Sequence, residues 1–175
     1  MRRLLLLRHA KAERLQPGGN DCDRVLAERG CADALKIGAY MVRHAFMPDL
    51  AVVSSSVRTR QTWDQLAAAF QDIPPAKFED RLYEASPQAM IEVIRETAPR
   101  VGTLLLIGHN PGLQELAAIL IGAGDVDARQ RLKEDFPTSA LAVVNFALED
   151  WSQLHRGAGR LEHFVTPRSL TASID

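Results

Sequence analysis

Cysteine is scarce in this 175-residue chain, and it also lacks long apolar runs and any marked excess of charge of one sign. The two cysteines, Cys22 and Cys31, make no Cys-x-x-Cys pair and have no paired histidines nearby. That spacing argues against a disulfide scaffold or a zinc module and reads as two reduced thiols in a cytoplasmic protein. Met1-Arg2-Arg3 and four leucines superficially resemble a signal peptide, but Arg8-His9 interrupts the run before an h-region can form. No stretch approaches the roughly 20 residues that span a bilayer, so no membrane partner is expected. The net charge is -1, without the basic excess of a dedicated nucleic-acid binder. There is no internal repeat and no low-complexity linker. With 46% hydrophobic and 25% charged residues, the chain reads as one soluble domain over residues 1–175, large enough to bury a core without disulfide or metal staples.

What is present is a set of short apolar runs that end in basic or imidazole side chains. Residues 4–7 are all leucine and lead into Arg8-His9, and residues 104–107 lead into Gly108-His109-Asn110-Pro111-Gly112. Short, continuously apolar runs suit strands buried on both faces, as in the centre of a parallel sheet. In open α/β sheets the ligand crevice lies beyond the carboxyl ends of such strands. Two imidazoles and a guanidinium there would make a cationic pocket for an anion. A third run, residues 50–53, passes into Ser54-Ser55-Ser56-Val57-Arg58-Thr59-Arg60-Gln61-Thr62. This predicts a strand, a polar turn and a helix with Arg58 in its first turn, where helix N–H groups and a guanidinium fork favour phosphate.

The rest of the chain alternates in the same way. Residues 11–23 contain Pro17, Gly18, Gly19 and Asn20, a loop that starts at the proposed site and could cover it. Helical periodicity runs over residues 28–45, then 57–70, 87–97 and 111–121, with Ser86 as an N-cap, Pro87 in the first turn after it, Asn110 as an N-cap and Pro111 at N1. Extended segments are expected near residues 77–79, at 103–107, 141–146 and 157–164, and the tail from 167 to 175 carries no assignment. This pattern predicts an α/β domain, a three-layer α/β/α sandwich with a mainly parallel central sheet.

Taken together and in this order, the Arg8-His9 strand end, Ser-x-x-x-Arg-x-x-x-Thr from Ser54 to Thr62 and the Gly108-His109 strand end resemble the histidine phosphatase superfamily. Arg8-His9-Ala10-Lys11, Gly108-His109-Asn110-Pro111-Gly112 and Phe136-Pro137-Thr138-Ser139-Ala140-Leu141 resemble its small SixA-like phosphohistidine phosphatase branch. Ala10 stands where the larger family usually has glycine, and long insertions that line sugar-phosphate pockets are missing. The resemblance implies a phosphatase that forms a covalent phosphohistidine on His9, with Arg8, Arg58 and His109 holding the phosphoryl oxygens. One ring nitrogen of His9 must be unprotonated, so the other should donate to a fixed acceptor such as a backbone carbonyl. Glu84 lies in the loop where larger members carry a general acid, and a confined carboxyl there could protonate a leaving group. No metal and no cofactor is expected, and the chain lacks the carboxylate clusters of metal-dependent phosphatases.

The remaining basic and aromatic residues have ordinary explanations. His44, His155 and His163 read as solvated or packing residues, Arg60 as a surface residue, and Trp63 and Trp151 as core. Lys11 and Arg24 could border the pocket; Thr138 and Ser139 could line it or cap a turn. The resulting expectation is a metal-independent phosphatase acting on a phosphohistidine protein. One alternative is a small-molecule phosphomonoesterase with the same site. The other, from a different class, is a non-catalytic phosphate- or phosphoprotein-binding module, although binding alone needs no nucleophilic imidazole.

Overall fold

The four leucines of residues 4–7 occupy the middle of the protein because helices cover both faces of the sheet they enter. In the computed structural model, which describes residues 1–172, seven strands form one sheet. They are β1 (Arg2–Arg8), β2 (Leu50–Ser54), β3 (Ala76–Glu79), β4 (Thr103–Gly108), β5 (Ile121–Gly124), β6 (Leu141–Phe146) and β7 (Gly159–Val165), in the order β3-β2-β4-β1-β6-β7-β5. The pairings of β1 with β4, β2 with β3 and β4, and β5 with β7 are parallel, while β6 runs antiparallel to both neighbours. The helices are α1 (Glu28–Arg43), α2 (Val57–Ala67), α3 (Pro87–Arg95), α4 (Gly112–Leu120), α5 (Val126–Glu134) and α6 (Pro167–Ala172).

Side-chain alternation along β1 divides the core in two. Leu5 and Leu7 pack with Ile37 and Met41 of α1 and with Trp63 and Leu66 of α2. Leu4 and Leu6 join Met90 and Ile94 of α3, Leu113 and Leu116 of α4, and Leu132 of α5 on the opposite face. All four leucines are fully buried, each worth about 1.5–3 kcal/mol of burial, which explains a strand with no polar face. The result is the expected three-layer α/β/α sandwich with a largely parallel sheet.

Three elements, α5, β5 and α6, had no counterpart in the sequence reading, and the boundaries of others moved. The segment Val126–Glu134 is helical although only Ala128 and Leu132 are buried, a single i, i+4 pair too thin to register as periodicity. Its start is set by Asp125, whose side chain accepts from the Ala128 N–H at 2.8 Å. The edge strand Ile121–Gly124 contains two glycines and follows α4 directly, so it takes over Ile121, read above as the last helical residue. α4 begins at Gly112 with Pro111, not Asn110, at the N-cap position. Asn110 still contributes from one residue farther out, its Oδ1 accepting from the Gln114 N–H at 3.1 Å. In the tail, Pro167–Ala172 forms α6; residues 173–175 lie outside the described part.

Candidate active site

β1 and β4 are adjacent and parallel, with Arg8 opposite Gly108, so His9 and His109 leave the sheet side by side at its carboxyl edge. Their ring centroids are 5.3 Å apart, and the His9 N–H donates to the Gly108 carbonyl at 3.1 Å. On the far side of β4, β2 ends at Ser54 and α2 starts three residues later, its N-cap Ser56 accepting from the Thr59 N–H. Arg58 in that first turn reaches the same edge, where its Nη2 lies 3.4 Å from His109 Nδ1. Three neighbouring strands thus bring together residues separated by up to a hundred positions in the chain.

The spacing Ser-x-x-x-Arg-x-x-x-Thr now has a physical basis on two successive turns of structure. The Ser54 hydroxyl lies 2.7 Å from His109 Nε2 and fixes that ring. Thr62 Oγ1 accepts from the Ala10 N–H at 2.9 Å and donates to the Arg58 carbonyl at 2.7 Å, which ties the residue after His9 to α2. Across the site, the Ser139 N–H donates to the carbonyls of both Arg8 and His9, at 3.1 and 3.2 Å. Ser139 adopts φ 62° to do so. The Arg8 Nη1 donates to the Phe136 carbonyl at 3.1 Å, and the Asn110 Nδ2 shares that acceptor at 2.9 Å.

These side chains surround a surface cavity of about 290 Å³ lined by Arg8, His9, Lys11, Ala12, Asp21, Arg24, Arg58, Glu84, His109, Asn110 and Thr138. Four cationic side chains face two carboxylates, so the cavity suits an anion. The buried Nε atoms of Arg8 and Arg58 make no hydrogen bond, nor does the Ser139 hydroxyl. Their unmet donor capacity is unusual for buried polar atoms. Among the described residues, no group of three or more His, Cys, Asp and Glu is placed to hold a metal ion.

Burial among cationic neighbours holds both imidazoles neutral. Burial pushes His9 down to about 4, with Arg58, Arg8 and Arg24 adding to the effect and the Ala10 carbonyl opposing it. Burial, then repulsion from His9 and Arg58, pushes His109 down to about 3. The His9 Nδ1 lies 2.8 Å from the Ala10 carbonyl, which has no proton to give, so this nitrogen carries the hydrogen. Nε2 is left as the basic, electron-pair-bearing nitrogen. The backbone carbonyl expected as the fixed acceptor is therefore that of the next residue.

Arg8, His9, Arg58, His109 and Glu84 converge on one cavity, as do Lys11, Arg24 and Thr138. Glu84 differs in setting from the confined carboxyl of the sequence reading. It is exposed at the cavity mouth, with φ 52°, in a loop pressed against the start of α4. Gly112 permits that approach, since a Cβ there would overlap the Ala85 carbonyl. Arg60 points away onto Phe78, and His44 and His163 pack with Tyr40 and Phe46 outside the site. Asp21, Tyr83, Ser54 and Thr62 were given no individual role from sequence. Ser54 and Thr62 could have been singled out by their fixed distances from Arg58; Asp21 and Tyr83 sit in loops without such a signal.

The 37% identity to the Mycobacterium tuberculosis protein MT1313 extends over 164 residues, 93% of this chain and all of that one. The sequence pattern of the histidine phosphatase superfamily (branch 1) matches residues 4–90. A crystal structure from Agrobacterium tumefaciens, provisionally named phosphohistidine phosphatase SixA, is 33% identical, superposes with a TM-score of 0.78 and covers 95% of this chain and 98% of that one. The chain belongs to the histidine phosphatase superfamily. Its structural likeness is to the SixA-like branch, and a Nakamurella structure with the same provisional name shares the fold at TM-score 0.83 and 24% identity, over 95% of this chain and 96% of that one. This histidine phosphatase is accordingly a hydrolase of a phosphatase superfamily, and none of its described helices is long and apolar enough to cross a membrane.

Proposed function

We propose that this protein removes phosphoryl groups from phosphohistidine in a protein substrate through a covalent phosphohistidine on His9, without a metal. The observation that carries the reading is the polarity of the His9 ring. With Nδ1–H committed to the Ala10 carbonyl, Nε2 is neutral and nucleophilic, on a residue that lines the same cavity as Arg8 and Arg58. In the first step Nε2 forms a bond to phosphorus as the bond to the leaving nitrogen breaks. That nitrogen takes a proton from water or Glu84. In the second step water adds to the phosphoryl group and His9 Nε2 leaves with its electron pair restored. Arg8 and Arg58 supply permanent charge to the equatorial oxygens. A bound dianion reverses the balance at His109 and favours its protonated form, with Ser54 accepting from Nε2.

The substrate class rests on access. The cavity is small and opens at the surface, and the exposed Glu84 does not close it, a shape suited to a phosphorylated side chain projecting from another protein. The likeness to structures named phosphohistidine phosphatase points the same way. The test is turnover of a phosphohistidine protein alongside an aryl phosphate and sugar phosphates, with labelled intermediate trapped on His9 and quenched without acid. The expected result is an acid-labile, base-stable adduct that His9→Ala cannot form, and highest kcat/KM on phosphohistidine. Preference for a sugar phosphate would replace the substrate assignment, and turnover by His9→Ala would remove the mechanism.

A further inference from the structure

The loop between β1 and α1 is tied at its base and returns to the cavity wall through Asp21 and Arg24. Ala12 bridges Leu26, the Glu13 N–H donates to the Val25 carbonyl at 2.8 Å, and the Leu26 N–H donates to Gln61 Oε1 at 2.7 Å. From this base the chain loops out and returns through a single 3₁₀ turn, Asp21–Asp23. The Asp21 carbonyl accepts from Arg58 Nη1 at 2.8 Å and its Oδ2 from Arg58 Nη2 at 2.9 Å. Oδ2 also accepts from the Tyr83 hydroxyl, and Oδ1 from Arg24 Nη1 at 3.1 Å. The Tyr83 ring in turn stands edge-on to His109, with centroids 5.4 Å apart and planes at 89°.

We infer that Asp21 is a positioning residue for phosphoryl transfer, clamping the outer edge of the Arg58 guanidinium and, through Tyr83, the ring of His109. The inference rests on the proposed role of Arg58 as a phosphoryl ligand. Each terminal nitrogen of Arg58 gives one hydrogen to Asp21; Nη2 also lies 3.4 Å from His109 Nδ1, and guanidinium planarity then fixes where the second Nη1 hydrogen and the unpartnered Nε–H point. A buried guanidinium also requires a close carboxylate to offset its lost hydration; Arg58 is 5% exposed. A carboxylate that merely plugged the cavity would strand Arg24, Tyr83 and Arg58 together on leaving. The Tyr83 hydroxyl, with Arg24 and Arg58, holds Asp21 well below the usual carboxylate range, so the clamp is an anion at any working pH.

The full chain is assayed with p-nitrophenyl phosphate, and inorganic phosphate serves as the binding probe. Asp21→Ala should lower kcat by about 10–100-fold, the scale set by a misplacement of about 1 Å in a reacting group. KM should change less, and Asp21→Asn should fall between. Asp23→Asn, whose side chain faces away toward Asn20, should match the wild type. In an Arg58→Ala background, Asp21→Ala should cost clearly less than in the wild type, because only the route through Tyr83 to His109 is left. The Asn variant, near-isosteric, carries the test should the alanine variant melt early. Unchanged kcat, or a full additional loss on the Arg58→Ala background, overturns the inference. So does higher kcat/KM with tighter phosphate, which would make Asp21 an internal competitor. A wild type inactive on every phosphate tested overturns the functional reading and the clamp with it, an outcome distinct from the others.

Discussion

Holding His9 neutral in a buried, cationic setting has a consequence for stability that can be measured apart from activity. In the unfolded chain this imidazole takes up a proton near its ordinary value of 6.5, whereas in the folded protein it does so only near 4. Between those values the unfolded state binds the extra proton, so unfolding becomes easier as the pH falls. The loss begins below about 6.5 and is complete below about 4. At about 1.4 kcal/mol per pH unit, the native state loses about 2–3 kcal/mol by pH 4.5 from this residue alone. That is a sizeable part of the roughly 5–15 kcal/mol that stabilises a domain. Replacing His9 with glutamine removes this contribution and relieves the repulsion that adds to burial in depressing His109. Urea unfolding of the wild type and His9→Gln at pH 7.5, 6.0 and 4.5, in buffers free of phosphate, should show the variant gaining about 2–3 kcal/mol on the wild type between the two extremes. The corresponding melting difference at pH 4.5 is about 5–10 °C. Parallel stability curves for the two proteins would refute the claim that the fold holds His9 neutral.

Arg58→Lys keeps the charge but loses the planar fork, and kcat should drop by roughly 100–1,000-fold in steady-state assays. Glu84→Gln should slow alkyl phosphates by about 100–10,000-fold if Glu84 protonates their leaving group. On phosphohistidine or an activated aryl phosphate the same change should matter far less, and equal loss on all three would point to pocket structure instead. Exhaustive chelation should leave turnover unchanged while vanadate inhibits; a loss restored by magnesium or manganese would contradict the metal-free reading.

The local pattern was sufficient for the sheet and much of the site. A run such as residues 4–7 can be buried on both faces only in a central strand, and a strand that stops at Arg8-His9 or Gly108-His109 must present those side chains at its carboxyl edge. Such information is local, carried by apolar runs, caps and prolines, and so it survives in one dimension. α5 and β5 were not legible because one pairs its core through two residues and the other is half glycine. Nor could the loop carbonyl that orients His9, or the hydroxyl of Ser54 behind His109, be assigned beforehand. Most of all, nothing in the loop of residues 11–23 marks Asp21, since its role exists only where α2 and the Tyr83 loop meet it. Which strands lie adjacent, and therefore which distant side chains share one low-dielectric, cationic cavity, is set by tertiary packing. That packing depresses the two histidines and couples the loop to Arg58.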